Sequence, residues 1–558
     1  MDRGVSRFLL AAWLVVALSV HAQNPASATR LFAGMGDVHH PVATANPEAQ
    51  RYFDQGLALI YGFNHDEAAR SFRRAAELDP KMAMAWWGVA LAVGPNYNLP
   101  VDPQRESEAY SAIQTALKLS TNGPKVEQAY ITALANRYTN QPTSDYLKLE
   151  QSYHDAMRAV IQTYPDDLDA ATLFAESGMN LRPWKLWNSD GTPAPGTEEI
   201  VATLESVLKR DPNHLGANHY YIHAVEASPH PERALASAMR LASLAPSAGH
   251  LVHMPAHIYI RTGDHAASEH TNELAAAADE RYIDETKAQG IYPLMYYTHN
   301  LHFLAYENAM MGRFTEAMKG AERARANVAP HVQQMAMLDF FQTLPTVVLV
   351  RFQRWDDILR LPQPDPSLAL SNGVRHYARG LAFASRGQIS QAQAELAALQ
   401  QLAPAMGKYP TNVVGPRNAG IIPQIAAQLI EASIAQAQKN MAGSLEHLRQ
   451  AVALQDSMDY IEPPDWFYPV REALGAALLM NGDAVEAEKV FRADLEINPR
   501  NGRSLFGLME ALKAQGRNDD VIPVRQQYEV AWRGAEMQLR LSNLWIIPNV
   551  STATEARK

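Results

Sequence analysis

Histidine is the residue type in this chain with the greatest capacity for chemistry. Of 19 histidines in 558 residues, 11 lie between His214 and His302. Several recur at spacings of three, four and seven residues, which keep side chains on one face of a helix. Imidazole is the commonest metal ligand in proteins near neutral pH. The aligned set is one glutamate and seven histidines: Glu226, His219, His223, His250, His253, His257, His299 and His302.

This set predicts a metal site built from nitrogen and oxygen ligands. The chain has no cysteine, which excludes thiolate sites, disulfides and a cysteine nucleophile. Histidines with a carboxylate suit Zn, Fe or Cu, and a site with three protein ligands leaves a position open for water or substrate. Glu226 is then a ligand, a partner that orients a ligand, or a catalytic general base. If the protein is an enzyme, we expect a His/carboxylate metal-dependent oxidoreductase or hydrolase.

Two other interpretations of the same residues stay open. A single histidine is usually a hydrogen-bonded structural residue, and a surface lined by neutral His and Tyr also binds a peptide or a small molecule without a metal. Four further histidines lie outside the aligned set, and we expect them on the surface or in turns: His214, His230, His265 and His270.

A repeat of roughly 34 residues indicates the elements that position the histidines. Between Ala49 and Pro80, small or aromatic residues fall where two antiparallel helices pack, and the proline ends the second helix. An almost complete copy starts at Tyr468. Weaker copies start near Ala83, Leu168, Leu215, Gly249, Thr298, Gly373 and Gly502. The period predicts an all-α chain of about nine helix-turn-helix units with almost no strand.

These repeats resemble the tetratricopeptide-repeat family, which implies a superhelical solenoid. More narrowly, the stretches YFDQGLALIYGFNHDEAARSF, HMPAHIYIRTG, HNLHFL and EPPDWFYPVREALGAALL resemble uncharacterised bacterial exported proteins of that family. In the family, positions two, five, nine and twelve of the first helix line a concave groove, and the aligned set occupies those positions in three successive repeats. The resemblance therefore implies that the aligned set lines one groove, and its residue types predict that this groove binds a metal ion, a small ligand or both. The alternative is a non-catalytic scaffold that binds a protein or peptide there.

Several other residues are candidates for substrate binding. The Pro/Gly-rich loop Leu181 to Thr197 carries Trp184 and Trp187, and long loops in compact arrays often carry function. Tyr259 and Tyr306 share the histidine repeats. Pro255 is comfortable only in the first turn of a helix, so either a helix starts near His253 or the helix is kinked.

The N-terminus is typical of a signal peptide. Arg3 and Arg7 precede an apolar run, and small residues precede a cleavage site after Ala22. An uncleaved anchor is the alternative. We expect a periplasmic or secreted protein with no membrane span after cleavage. The net charge of −10 argues against a nucleic-acid partner.

The predicted organisation has six parts. They are a signal peptide (1–22), an N-terminal extension (23–47), an array with the His-rich groove (48–360), a linker (361–372), a C-terminal array (373–535) and a tail (536–558).

Overall fold

The computed structural model describes residues 29–100, 102–141, 145–408 and 417–545. The predicted signal peptide, with its cleavage site, lies outside the described residues, as does the tail beyond residue 545. Within the described ranges the chain is helical and has no strand, only two isolated bridges, Asn96 to Leu99 and Trp187 to Pro193. The all-α prediction is confirmed. No helix among the described residues is long and apolar enough to cross a membrane.

The helices follow one another as antiparallel neighbours. The first part of the chain contains α1 (Pro47–Tyr61), α2 (His65–Leu78), α3 (Ala83–Val93), α4 (Pro103–Leu119), α5 (Lys125–Ala135), α6 (Tyr146–Thr163), α7 (Leu168–Asn180) and α8 (Thr197–Arg210). The middle contains α9 (Leu215–Val225), α10 (Leu235–Leu244), α11 (Gly249–His253), α12 (Pro255–Thr262), α13 (His265–Thr286), α14 (Tyr297–Met310), α15 (Phe314–Val328), α16 (Asp339–Gln342), α17 (Leu344–Arg351) and α18 (Trp355–Arg360). The last part contains α19 (Ala369–Ser385), α20 (Ile389–Met406), α21 (Ile422–Ala437), α22 (Met441–Asp456), α23 (Val470–Met480), α24 (Ala484–Ile497), α25 (Gly502–Ala514), α26 (Asn518–Ala531) and α27 (Leu541–Leu544).

The repeat register matches these helices closely. Helices begin at or within two residues of the predicted starts at Ala49, Ala83, Leu168, Leu215, Gly249, Thr298, Tyr468 and Gly502. The ninth start, Gly373, lies inside α19, which begins at Ala369, within the predicted linker. The tandem helix-turn-helix units of a tetratricopeptide-type solenoid are therefore present.

The first unit shows why the sequence folds this way. The Asn46 side chain accepts hydrogen bonds from the N–H groups of Glu48 and Ala49, which caps the start of α1. Glycine at position 56 permits close packing, because a Cβ there would lie 2.6 Å from the Phe72 ring. Side chains of the two helices thus interdigitate only if this position stays small.

The histidine helices lie between two apolar cores. One core draws its residues from Ala49 to Ile258 together with Tyr292 and Tyr296, and the other runs from Ala256 to Trp545. Helix α12 contributes to both cores. The histidine-bearing helices α9, α11, α12 and α14 therefore pass through a part of the molecule that is enclosed from both sides.

Candidate functional site

Six of the seven aligned histidines meet in two neighbouring groups. The first trio is His219, His223 and His250, and the second trio is His253, His257 and His299. In each trio one nitrogen per ring lies within 4.8 Å of the others. The trios adjoin, because the ring centroids of His223 and His257 are 5.6 Å apart.

Two rings of the first trio, His219 and His223, each have one ring nitrogen with a hydrogen-bond partner and one without. His219 Nδ1 lies 2.5 Å from the carbonyl oxygen of Tyr61. A carbonyl can only accept, so Nδ1 carries the proton and Nε2 carries a lone pair. His223 Nδ1 lies 2.9 Å from Glu226 Oε1, which fixes the same tautomer. The Nε2 atoms of both rings, and both nitrogens of His250, are buried without a hydrogen-bond partner.

Aromatic rings enclose the first trio. The Phe63 ring centroid lies 4.5 Å from that of His219 and 5.3 Å from that of His250. Tyr97 and Trp184 lie 5.4 and 5.5 Å from His223. Such walls exclude water and strengthen any electrostatic interaction inside.

The second trio contains an imidazole pair that needs a proton or a cation between its rings. Asn272 Nδ2 donates to the Ser268 carbonyl, so its Oδ1 accepts from His253 Nδ1 at 2.7 Å. His253 Nε2 therefore carries a lone pair, and it lies 2.9 Å from His257 Nε2. Two lone pairs at that separation repel. Without a metal, the contact requires His257 to carry a proton on Nε2 and to donate it to His253. With Nδ1 also protonated beside Glu226, His257 is an imidazolium.

Two buried carboxylates stabilise that imidazolium. His257 Nδ1 lies 2.6 Å from Glu226 Oε2 and 3.3 Å from Glu462 Oε2. These are close charge contacts rather than well-aligned hydrogen bonds, since the three atoms have no hydrogen-bond partner of good geometry. Tyr460 donates its hydroxyl to the other oxygen of Glu462.

The pKa directions follow from this arrangement. Burial would lower the pKa of His257, but Glu226 and Glu462 outweigh it and raise the pKa well above its usual value. Burial would raise the pKa of Glu226, but His257 and His223 hold it below its usual range. Burial raises the pKa of Glu462. Burial and neighbouring histidines lower the pKa of His250 far below 6.5, so this ring is neutral at neutral pH.

The site is enclosed, which differs from the open groove that the sequence predicted. His219, His223, His250, His253 and His257 each expose 3% or less of their surface. The segment 457–469, which brings Glu462 and Tyr460, covers them from a position more than 200 residues further along the chain. Part of this segment, EPPDWFYP, contributed at the sequence level only to the resemblance to exported proteins. No local pattern marks it as part of the site, because its contact with His257 is long-range.

His302 and Tyr306 do not join the cluster. The His302 ring lies among Phe340, Phe341 and Phe467, at centroid distances of 5.5, 6.0 and 5.9 Å. Tyr306 is buried against Phe467. His299 and His302 are three residues apart on α14, so their side chains diverge by about 60° around the helix. Only His299 reaches His253, at a centroid distance of 4.8 Å.

The remaining candidates are divided between the site and its surroundings. Trp184 stacks on Tyr97 at 5.2 Å and reaches the first trio. Trp187 donates its indole N–H to the Ala224 carbonyl at 2.8 Å, which anchors its loop to α9. Tyr259 is half-buried on α12. Glu226 occupies the C-cap of α9 and contacts histidines of both trios.

Two expectations about the surrounding histidines and Pro255 are resolved by the structure. His265 is buried rather than exposed, and its Nδ1 lies 2.5 Å from Glu307 Oε2. Helix α11 ends at His253 and α12 begins at Pro255. The single residue between them, Met254, keeps helical dihedral angles (φ −52°, ψ −33°), so the two helices follow each other without a loop. The kinked alternative is therefore the one adopted, and it keeps His250 within a helix.

Comparisons with known proteins identify no relative by sequence. No family model matches the chain, and no curated protein matches it. Solved structures that align with it include the P58(IPK) TPR domain, at 10% identity and a TM-score of 0.23, over 84% of this chain and 98% of that one. Yeast Tom70 aligns at 11% identity and a TM-score of 0.29, over 87% and 93%. A human IFIT1 dimer with m7Gppp-AAAA aligns at 12% identity and a TM-score of 0.31, over 89% and 92%.

At these identities and TM-scores, the alignments bring no ligand, partner or activity to this chain. The assignment of the fold rests on the repeat register and on the helix pairs that realise it. By those criteria the protein has a tetratricopeptide-type helical-repeat fold.

Proposed function

We propose that the protein binds a transition-metal ion, Zn, Fe or Cu, in the first trio. The observation that supports this most strongly is the set of buried imidazole nitrogens without a hydrogen-bond donor. Leaving a polar atom buried and unpaired costs roughly 1–3 kcal/mol, and His219, His223 and His250 together present four such atoms. A cation bound between the rings removes that cost for three of the four atoms, one from each ring.

The hydrogen-bond acceptors of the Nδ1–H groups in the first trio also suit a metal site. A histidine that ligates through one nitrogen generally donates its other N–H to a carboxylate or a backbone carbonyl. His219 does so to Tyr61, and His223 does so to Glu226. This arrangement fixes the tautomers in which both Nε2 atoms are free to ligate.

Charge balance favours one divalent ion. Glu226 and Glu462 are two buried carboxylates, and the imidazoles of the first trio are neutral at pH 7. Two ionised carboxylates match one dication once His257 is neutral, whereas His257 as an imidazolium already balances one of them. A buried charge that is not balanced in this way is strongly unfavourable. A second ion in the second trio would require His257 to lose its Nε2 proton.

A trio of histidines leaves a coordination position open. Such sites bind water or a substrate, and they are typical of catalytic rather than structural metal centres. The function we infer is thus metal-dependent binding of a small ligand, with oxidoreductase or hydrolase chemistry as the corresponding enzyme class. Glu226 faces the Nδ1 side of both its histidines, so we assign it the orientation of ligands rather than the role of general base. Trp184 lies where it could contact a small ligand.

We also propose that the protein is exported to the periplasm or beyond. Support comes from the sequence of residues 1–22. The alternative function, a scaffold that binds a protein or peptide, is supported by the extended surfaces that repeat arrays create. The buried histidines cannot contact such a partner directly, so this alternative would use another surface of the array.

Titration of the chelator-treated full-length protein with Zn²⁺ tests the proposal. We expect tight uptake by the wild type, and loss of at least 100-fold in affinity for His219→Ala and for His223→Ala. The matched control is His230→Ala, because this histidine is exposed and its side chain pairs with the exposed Glu232. If the wild type takes up no Zn²⁺, Fe²⁺ or Cu²⁺, the metal proposal fails and the scaffold alternative stands.

A further inference from the structure

A cavity away from the histidine cluster lies at the C-terminal end of the segment 457–469. Its atom-free space is ≈ 530 Å³ when the open mouth is included. Five aromatic side chains are among its lining residues: Trp355, Tyr377, Trp466, Tyr468 and Trp545. Trp466 and Tyr468 belong to the same segment, 457–469, as Glu462.

Two buried arginines line this cavity, and only one has a carboxylate partner. Arg351 donates through both terminal nitrogens to Glu472, at 2.6 and 3.0 Å. Arg503 donates to two backbone carbonyls, those of Arg351 at 2.7 Å and Asn543 at 2.9 Å. Each arginine exposes 3% of its surface. A buried guanidinium that meets only carbonyls is a charge without a counterion.

Three polar atoms of the lining residues also lack partners. They are Nε of Arg351, Nε of Arg503 and the hydroxyl of Tyr468. Among the lining residues Glu472 is the one carboxylate. Two guanidinium groups against one carboxylate give the lining residues a single positive charge. The carboxylate of Asp494 lies behind Glu472, bonded to the same Asn501 side chain. Arg503 remains protonated at neutral pH, although burial and then Arg351 lower its pKa to about 9.

We propose that this cavity binds an organic monoanion: a carboxylate attached to a flat, apolar body. The single net charge matches one carboxylate, and Arg503 supplies the planar donors that pair with it. The aromatic walls supply the surface on which an apolar ring packs. A phosphate dianion is disfavoured, because its second charge would face Glu472. The site is separate from the histidine cluster, and its test does not depend on a metal.

Calorimetric titration of the full-length protein with indole-3-acetate tests this proposal, with the neutral indole-3-acetamide as the matched probe. We expect the acid to bind at least tenfold more tightly than the amide. R503Q should bring the affinity for the acid down to that for the amide. The control R525Q removes an exposed arginine of α26 and should leave both affinities unchanged.

Arg503 also bonds two carbonyls, so circular dichroism and thermal melting are recorded for each variant first. If R503Q does not fold, R503K, which keeps the charge but not the planar fork, replaces it and should weaken acid binding alone. The comparison of acid and amide on the wild type is decisive in either case. Equal binding of the two probes, no binding of the acid, or unchanged acid binding by a folded R503Q would overturn the proposal.

Discussion

Replacing Glu226 with glutamine should weaken metal binding while leaving the shape of the site intact. The two carboxylate oxygens each face an Nδ1–H group, that of His223 at 2.9 Å and that of His257 at 2.6 Å. Glutamine has one acceptor oxygen, and its NH₂ end is a donor. With its NH₂ end toward His223, that ring must change tautomer, which places its proton on the Nε2 atom that would bind the ion. In either orientation the substitution also removes a buried negative charge beside the trio.

The expected loss for Glu226→Gln is 10–100-fold in metal affinity, the usual effect of removing the partner of a ligating histidine. In free energy this is about 1.4–2.8 kcal/mol. The loss should be smaller than for His223→Ala, which removes a ligand. Competition between the protein and a chromophoric chelator for Zn²⁺ measures it, and circular dichroism checks the fold.

The matched control is Glu232→Gln. Glu232 also faces a histidine, His230, at 3.2 Å, but that pair is exposed. Exposed pairs contribute little, so metal affinity should not change. The reasoning is refuted if Glu226→Gln binds Zn²⁺ within twofold of the wild type, or if the control loses as much.

Three further predictions follow from other parts of the structure. Burial lowers the pKa of His302 to about 3, so its contribution to stability is complete above its unfolded pKa of about 6.5 and is lost as the pH falls toward 3. Urea unfolding should therefore show the wild type losing about 1 kcal/mol of stability relative to His302→Leu between pH 7 and pH 5.5. A difference between the two proteins that stays constant with pH would contradict this. Gly249→Ala should destabilise the protein by about 1–3 kcal/mol, because the added Cβ would lie 1.9 Å from Asp279 Oδ1. The control Gly420→Ala adds its Cβ to open space, so this variant should unfold at nearly the wild-type denaturant concentration. Intact mass spectrometry of protein from its native host should show a mature chain that begins at Gln23, and a chain that retains Met1 would disprove cleavage.

The sequence predicted the elements better than it predicted their surroundings. Helix starts follow from the repeat, because small residues and prolines recur at fixed positions where helices pack or end. The convergence of His219, His223 and His250 follows from the same register. The position of the segment 457–469 over these histidines does not follow from the repeat. Glu462 contacts His257 across more than 200 residues of sequence, and no periodicity encodes that contact.

The divergence of His302 has a similar origin. Its repeat position equals that of His219 and His253, but the aromatic residues that surround it come from α16 and from the segment 457–469. A π-helical turn at Tyr292–Tyr296 also precedes α14 and alters the local geometry before His299. Position within a repeat therefore identifies candidate faces, whereas long-range packing decides which side chains meet.

The most direct test of the metal proposal is elemental analysis of the untagged protein purified from its native host. The account predicts about one Zn, Fe or Cu ion per chain, removed by chelator and restored on reloading. A protein that carries both His219→Ala and His223→Ala should fold but hold none. Only traces of metal in the wild type, with no uptake on reloading, would contradict the account and leave these histidines as structural residues.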